Sequence, residues 1–253
     1  MTSESVSNMA DIDEMMYSCG LEILHPGGLE KTLEMANDCK INEDSKVLDI
    51  GSGKGFTAIH LAQKYGCNVT GVDMSSNMVE YATQAVGKRG LSEKISFMNL
   101  DAQKLPFDDN SFDVVFAECS TVLMDKERAF REFVRVTKQG GYVGDLEMSW
   151  QKVPDKQIVY RAFEIWEGFS TMTFDEWHDF YVKMGLTDIK INDFSDKMRN
   201  LGMLKTLGIT AILKMTCYML INKNLRTSVI EYNKFFKDSK EYIGYGYFVG
   251  RKG

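Results

Sequence analysis

The stretch Val47-Leu48-Asp49-Ile50-Gly51-Ser52-Gly53-Lys54-Gly55 decides the fold. A short apolar run that breaks on closely spaced glycines reads as a buried strand ending in a tight turn that feeds a helix. Without Cβ atoms, Gly51, Gly53 and Gly55 let the backbone turn sharply and come close to a ligand. Asp49 sets the charge of that ligand. A dinucleotide would place its pyrophosphate at this helix start, and a carboxylate two residues before the first glycine repels a pyrophosphate. A ligand carrying a cationic group would be held there instead.

The same rhythm continues downstream. Strands are expected at Asn68–Asp73, Ile95–Leu100, Phe112–Ala117 and Tyr142–Glu147, separated by helices at Gly55–Tyr65, Ser76–Gly87 and Lys126–Thr137. Alternation on this spacing predicts a parallel, doubly wound sheet. After Trp150 the pattern changes. Residues 154–184 and 196–240 read as mostly helical, while Thr187–Phe194 and Tyr242–Val249 read as a sixth and a seventh strand. Upstream, residues 13–38 read as helical with a break at His25-Pro26-Gly27-Gly28, and residues 1–12 as a frayed end. The expected fold is α/β: a Rossmann-like, seven-stranded, mostly parallel sheet with helices on both faces. A helical cap built from N-terminal and C-terminal insertions covers it. The expected division is a lid segment over 1–40, a ligand-binding core over 41–150, and cap insertions plus the last two strands over 151–253.

Composition narrows the function. The 253-residue chain carries 30 Lys and Arg against 36 Asp and Glu, a formal charge of −6. That balance gives no overall basic field, so no nucleic acid partner is expected. Five scattered cysteines (Cys19, Cys39, Cys67, Cys119, Cys217) form no CxxC pair, so no metal site is expected and the thiols read as reduced. The N-terminal residues lack the basic and apolar regions of a signal peptide, and the expected setting is cytoplasmic. Residues 201–221 are apolar enough to raise the membrane question. Lys205 and Lys214 lie nine residues apart, on opposite sides of a helix. A buried or lid helix is therefore expected there, rather than an interfacial helix or a span.

Acids recur at the strand ends, where open α/β sheets bind their ligands: Asp49, Asp73, Asp101 and Glu118. An acid ending the second strand can accept from both hydroxyls of a ribose. Asp101 can accept from an adenine amino group while the N–H of Ala102 donates to the ring, and Met74 can pack on the adenine face. S-adenosylmethionine (SAM) combines an adenosine with a methionine part that bears an ammonium and a sulfonium. These motifs resemble those of the class I SAM-dependent methyltransferases of small-molecule type (methyltransferase domain 11/25-like). The likeness is strongest over residues 40–150. VLDIGSGKG is similar to their first motif, GVDMS to the second, NLDAQKLPF to the third and FDVVFAEC to the fourth; REFVRVTKQGGYV resembles the helix and turn that follow. The spacing G-x-G-x-G also favours SAM over NAD. The resemblance implies that Asp49, Gly51, Ser52 and Gly53 hold the methionine part, Asp73 and Met74 the ribose and ring, and Asp101 and Ala102 the adenine. It places Glu118 beside the sulfur and methyl group, with S-adenosylhomocysteine as product.

The segment from Gly20 to Gly28 is similar to the start of several small-molecule methyltransferases, whose N-terminal helix folds over SAM; there Tyr17 would close the pocket. No catalytic motif is evident, and none is required. Methyl transfer from a sulfonium is an in-line displacement in which the protein mainly aligns the reactants and excludes water. His25, Glu118, Cys119 and His178 are the candidate catalytic residues. The acceptor reads as a small, partly apolar molecule. The Met and aromatic side chains of the cap, such as Trp166, Phe169, Trp177 and Tyr181, read first as a helical core and alternatively as an apolar pocket for that acceptor. Family members that methylate exocyclic amines carry Asn/Asp-Pro-Pro-Tyr after the fourth strand. This chain has Ala117-Glu118-Cys119-Ser120, which argues against DNA. The run from Cys119 to Arg128 resembles arsenite methyltransferases, implying an alternative in which Cys119 binds arsenic with help from Cys19 and Cys217. A non-catalytic SAM-binding sensor or assembly protein is the other alternative.

Overall fold

The computed structural model describes residues 15–20, 22, 24–196 and 209–253. Seven strands form one sheet: β1 (Lys46–Ile50), β2 (Asn68–Asp73), β3 (Ile95–Asn99), β4 (Phe112–Glu118), β5 (Thr137–Trp150), β6 (Leu186–Asp193) and β7 (Ile243–Lys252). Their spatial order is β3-β2-β1-β4-β5-β7-β6. The first five run parallel, and β7 is antiparallel to both of its neighbours, β5 and β6. This is the Rossmann-like α/β arrangement expected. The order reverses between β1 and β4, so the crevice beyond their carboxyl ends is the place for a ligand.

Alternation along each central strand builds two cores. Val47, Val69, Val114 and Phe116 face α1 (Gly28–Asp38), α2 (Phe56–Tyr65) and α3 (Ser76–Lys88). Leu48, Ile50, Val115 and Ala117 face the other way, onto α4 (Lys126–Val136) and, through Trp177 and Tyr181, α6 (Phe174–Lys183). Strands apolar on both faces are what a sheet covered on both sides requires. The helix starts are capped as their sequences suggest. Ser75 accepts from the Met78 N–H, and Thr173 forms a capping box with Glu176.

Several boundaries differ from the sequence reading. β5 runs from Thr137 to Trp150, well beyond Tyr142–Glu147, because Gln139-Gly140-Gly141 lies within the strand instead of breaking it. Gly140 takes φ +77° there, and the register with β4 shifts between Phe112 and Val114. Residues 154–184 divide into α5 (Lys156–Ile165) and α6, separated by a non-helical link. The later helical stretch contains α7 (Ile209–Ile221) and α8 (Lys223–Asp238); residues 197–208, with Met198, Met203 and Lys205, lie outside the described residues. α5 and α8 pack with the end of β5 around Trp150, Phe169 and Phe235. α7 is not a buried helix. Met215 and Met219 rest on Met15, Met16 and Cys19, while Leu213, Leu220 and Ile221 are exposed. Among the described residues no helix is long and apolar enough to cross a membrane.

Candidate active site

A cavity of about 300 Å³ opens at the carboxyl edge of β1 and β4. Its floor is the turn from Asp49 to Lys54. Phe56 and Thr57 of α2, Met78 of α3, and Glu118 and Cys119 from the end of β4 continue the lining, and Tyr17, Glu22, Leu24 and His25 close it from the N-terminal side. Gly51 and Gly53 adopt φ +64° and +50°, a left-handed conformation that costs other residues energy. At Gly51 a Cβ would fall 2.6 Å from the Ser120 Cβ, so the turn and the segment after β4 approach as closely as they do only because that atom is missing.

Three carboxylates surround this turn. Asp73 ends β2 and accepts from the Gly53 N–H through Oδ2 (2.8 Å) and from the Ser75 N–H through Oδ1 (2.8 Å). Each oxygen keeps a further lone pair for a ligand hydroxyl. Asp49 is buried, and its Oδ2 receives no hydrogen bond among the described residues. Burial, then the charges of Glu118 and Asp73, push its carboxyl well above the ordinary range. A buried acceptor with no donor is costly, and a ligand ammonium would supply both donor and countercharge.

Glu118 is paired instead. Its Oε2 accepts from Thr57 Oγ1 (2.7 Å), and its Oε1 lies 3.2 Å from His25 Nε2, an ion-pair distance without good hydrogen-bond alignment. Burial raises the Glu118 pKa, but His25, Thr57 and Thr32 outweigh that and hold it below the ordinary value. For His25 burial acts downward, and the Glu118 carboxylate, the Pro26 carbonyl and the charge of Glu147 together raise its pKa. The ring is fixed at both nitrogens. Nδ1 is 3.0 Å from the Pro26 carbonyl, which can only accept, so Nδ1 carries a proton; Nε2 lies 2.9 Å from Thr32 Oγ1. His25 is therefore a latch that ties the start of α1 to the end of β4.

Tyr17 stacks beside Phe56 with ring centroids 6.2 Å apart, and its hydroxyl sits 3.6 Å from where a Gly53 Cβ would be. The buried Lys54 ammonium lies between the Tyr17 and Tyr81 rings, 4.3 and 4.5 Å from their centroids. Glu22 bridges to His60 (3.3 Å) and Arg89 (3.1 Å), anchoring the same segment to α2 and α3.

The structure thus gathers Tyr17, His25, Asp49, Gly51, Ser52, Gly53, Glu118 and Cys119 around one cavity. Asp73 touches its floor through the Gly53 N–H without lining it, and Met74, Asp101 and Ala102 do not line it either. They lie along the open edge beyond β2 and β3, where Met74 is exposed, Asp101 accepts from the Gln103 backbone and side chain, and the Ala102 side chain packs into the core. His178 is a correction: it is half-exposed on α6 beside Asp179 (3.3 Å) and lines no part of the cavity. The arsenic alternative finds no support. Cys39 and Cys67 are buried in the sheet core, Cys19 packs among methionines, Cys217 is exposed, and no described cluster of three His, Cys, Asp or Glu could hold a metal. Trp177 and Tyr181 follow the core reading and not the pocket one: both are wholly buried against the sheet. The sequence reading missed Thr32, Lys54 and Thr57. The usable signal was position: Thr57 stands two residues past Gly55, and Thr32 one helical turn past the Pro-Gly-Gly break.

A family model described as a methyltransferase domain matches residues 48–144. The methyltransferase GfsG of Streptomyces halstedii is 30% identical over 72% of this chain and 67% of its own. The chain belongs to the class I SAM-dependent methyltransferases. An uncharacterized protein of Haemophilus influenzae is 31% identical to this methyltransferase over 76% of this chain and 78% of its own. In fold, the methyltransferase matches Haemonchus contortus phosphoethanolamine N-methyltransferase 2, solved with phosphomonomethylethanolamine and S-adenosylhomocysteine. The TM-score is 0.77 with 20% identity, over 96% of this chain and 57% of that one. The cofactor of the family is SAM, and the observed donor set fits it: a buried carboxylate with one unpartnered oxygen for an ammonium, and an acid at the end of β2 for a ribose.

Proposed function

We propose that this methyltransferase methylates a small, partly apolar acceptor bound beyond the end of β4, between the N-terminal lid and the α5–α8 cap. Bound SAM supplies a methyl group on a sulfonium, whose departure as a neutral thioether needs no acid. The single observation that carries the reading is the cavity itself, with the orphaned Asp49 carboxylate on its floor and the clamped Glu118 carboxylate at its side. Asp49, Gly51, Ser52 and Gly53 would hold the methionine part, Asp73 the ribose, and Asp101 with Ala102 the adenine at the open edge. Leu24, Phe56 and Cys119 give the remaining wall a mostly apolar character. Tyr17 and the His25 latch keep water from the reacting centre.

With His25 held between Pro26, Thr32 and Glu118, the reading assigns that ring to the latch and takes the acceptor to present a free lone pair. A neutral amine fits this requirement, and the small amine-derived ligand of the Haemonchus structure supports a small-molecule acceptor. The five free thiols support a reducing, cytoplasmic setting. The test is incubation with methyl-labelled SAM and fractionated metabolite extracts. Labelled small products support the proposal. Tight SAM binding with no labelled product across broad extracts would move the reading to a non-catalytic SAM-binding protein.

A further inference from the structure

The C-terminal hairpin of α7 and α8 carries two surface stripes that the methyl-transfer site does not use. On α7, Leu213, Cys217, Leu220 and Ile221 follow the spacing of one helix face. All four are exposed, Leu220 to 70% and Ile221 to 83%. They lie away from Met215 and Met219, which rest on the N-terminal segment. On α8, Lys223, Arg226, Ile230, Lys234 and Lys237 share a second face, again exposed and opposite the buried Leu225, Ser228 and Phe235. Both stripes face away from the side on which Met215 and Met219 of α7 and Leu225 and Val229 of α8 gather on the N-terminal segment, and Asn222 is the single residue between the helices. Of the acids on α8, Asp238 is engaged by Arg161 (3.1 Å) and Glu231 lies off the basic stripe. No ion pair neutralises Lys223, Arg226, Lys234 or Lys237 among the described residues.

Exposed Leu and Ile beside a row of Lys and Arg is the pattern of a surface that lies in the headgroup region of a bilayer: apolar side chains enter the acyl boundary while the bases meet lipid phosphates. The charge argues against a second copy of the chain as occupant. The protein as a whole is acidic, at −6, and the basic stripe would have to find an acidic face that is also apolar. We infer that the α7–α8 hairpin is a docking surface for an anionic lipid bilayer. It binds flat, without spanning. The surface adjoins the lid, because the inner face of α7 packs on Met15 and Met16, which flank the cavity residue Tyr17.

The experiment is flotation of the full chain with vesicles of phosphatidylcholine and phosphatidylglycerol in equal parts, and with vesicles of phosphatidylcholine alone. Cooperative thermal unfolding of each variant, followed by circular dichroism, serves as the control for folding. Partition into the anionic vesicles, weakened by salt, is expected. A basic side chain near such a surface is worth about fivefold in partition, so the double variant Lys223→Glu/Lys234→Glu should lose at least about 25-fold while keeping SAM affinity. Leu220→Glu/Ile221→Glu should lose binding likewise. Three results would overturn the inference: no partition of the wild type into anionic vesicles, equal partition by the variants, or a concentration-dependent dimer that Ile221→Glu dissolves in a protein that ignores vesicles. The readout is independent of the acceptor and of methyl transfer.

Discussion

Replacing Gly51 by alanine tests how the ligand turn is built. Two costs are expected. The backbone at φ +64° penalises a Cβ by about 1–2 kcal/mol. The new atom would also lie 2.6 Å from the Ser120 Cβ and 3.1 Å from its Oγ, where ordinary contacts begin at 3.4 Å. Forcing that overlap adds about 1–3 kcal/mol, so the variant should be less stable by about 2–5 kcal/mol. For a chain of this size, that lowers the melting temperature by roughly 5–15 °C. The two parts can be separated. Ser120→Gly removes the obstructing atoms, with the modest loss of a hydrogen bond from Ser120 Oγ to the Ile50 carbonyl (3.3 Å). In a double-mutant cycle followed by urea unfolding, Ser120→Gly should recover about 1–3 kcal/mol in the Gly51→Ala background only. What remains is the backbone penalty. If Gly51→Ala unfolds with the wild type, or if Ser120→Gly rescues nothing, the close approach is not what shapes the turn.

Asp49→Asn should lower SAM affinity at least about tenfold in calorimetry, since the unpartnered acceptor becomes neutral; unchanged affinity would contradict its role. The apo protein should not lose stability at neutral pH, because the folded-state pKa of Asp49 is raised, and an acid so raised weakens the fold once pH climbs past its unfolded value. Asp73→Ala removes the acceptor for the Gly53 N–H and should cut SAM affinity by at least about tenfold; a folded variant with full affinity would refute the ribose assignment. In Glu118→Gln the His25 ring keeps its burial but loses its anion, so its NMR titration should fall from above the ordinary imidazole value to below it; an unmoved titration would deny the latch. Glu147, held up to about 7 mainly by burial beside Asp145, should make the protein less stable as pH rises from the ordinary carboxylate value toward that raised one. Glu147→Gln retains an acceptor for the Thr121 N–H and hydroxyl and should flatten that part of the stability curve; a slope equal to wild type would place the pKa elsewhere.

Much of the sheet was legible because each signal was local. A buried strand, a glycine turn and an acid at the strand end all fall within a few residues, and the four acids repeat on successive strands. β5 was misjudged at its start for an equally physical reason: Gly140-Gly141 has the composition of a turn, yet a glycine with positive φ also fits an irregular strand pairing. Long-range features were less readable. The His25 latch depends on Thr32, one turn into α1, and on Glu118 at the far end of β4. For Trp177 and Tyr181 both a core and a pocket reading stood open, because composition alone cannot tell a side chain facing a ligand from one facing the sheet. α7 was expected to be a buried or a lid helix, and only the packing of its methionines on the N-terminal segment shows which half of an apolar helix is covered.

The position of β7 has a consequence for how the chain is made. β6 hydrogen-bonds to the sheet only through β7, so during synthesis it has no strand partner until residues 243–252 have left the ribosome. Through that interval β5 also presents an open edge, an exposed template for pairing with other chains. The ligand turn between β1 and β4 can form earlier, since its strands are already complete. A chain stalled before β7 would therefore carry most of a cofactor site on a half-built sheet, and SAM binding alone would be a poor measure of whether the protein has finished folding.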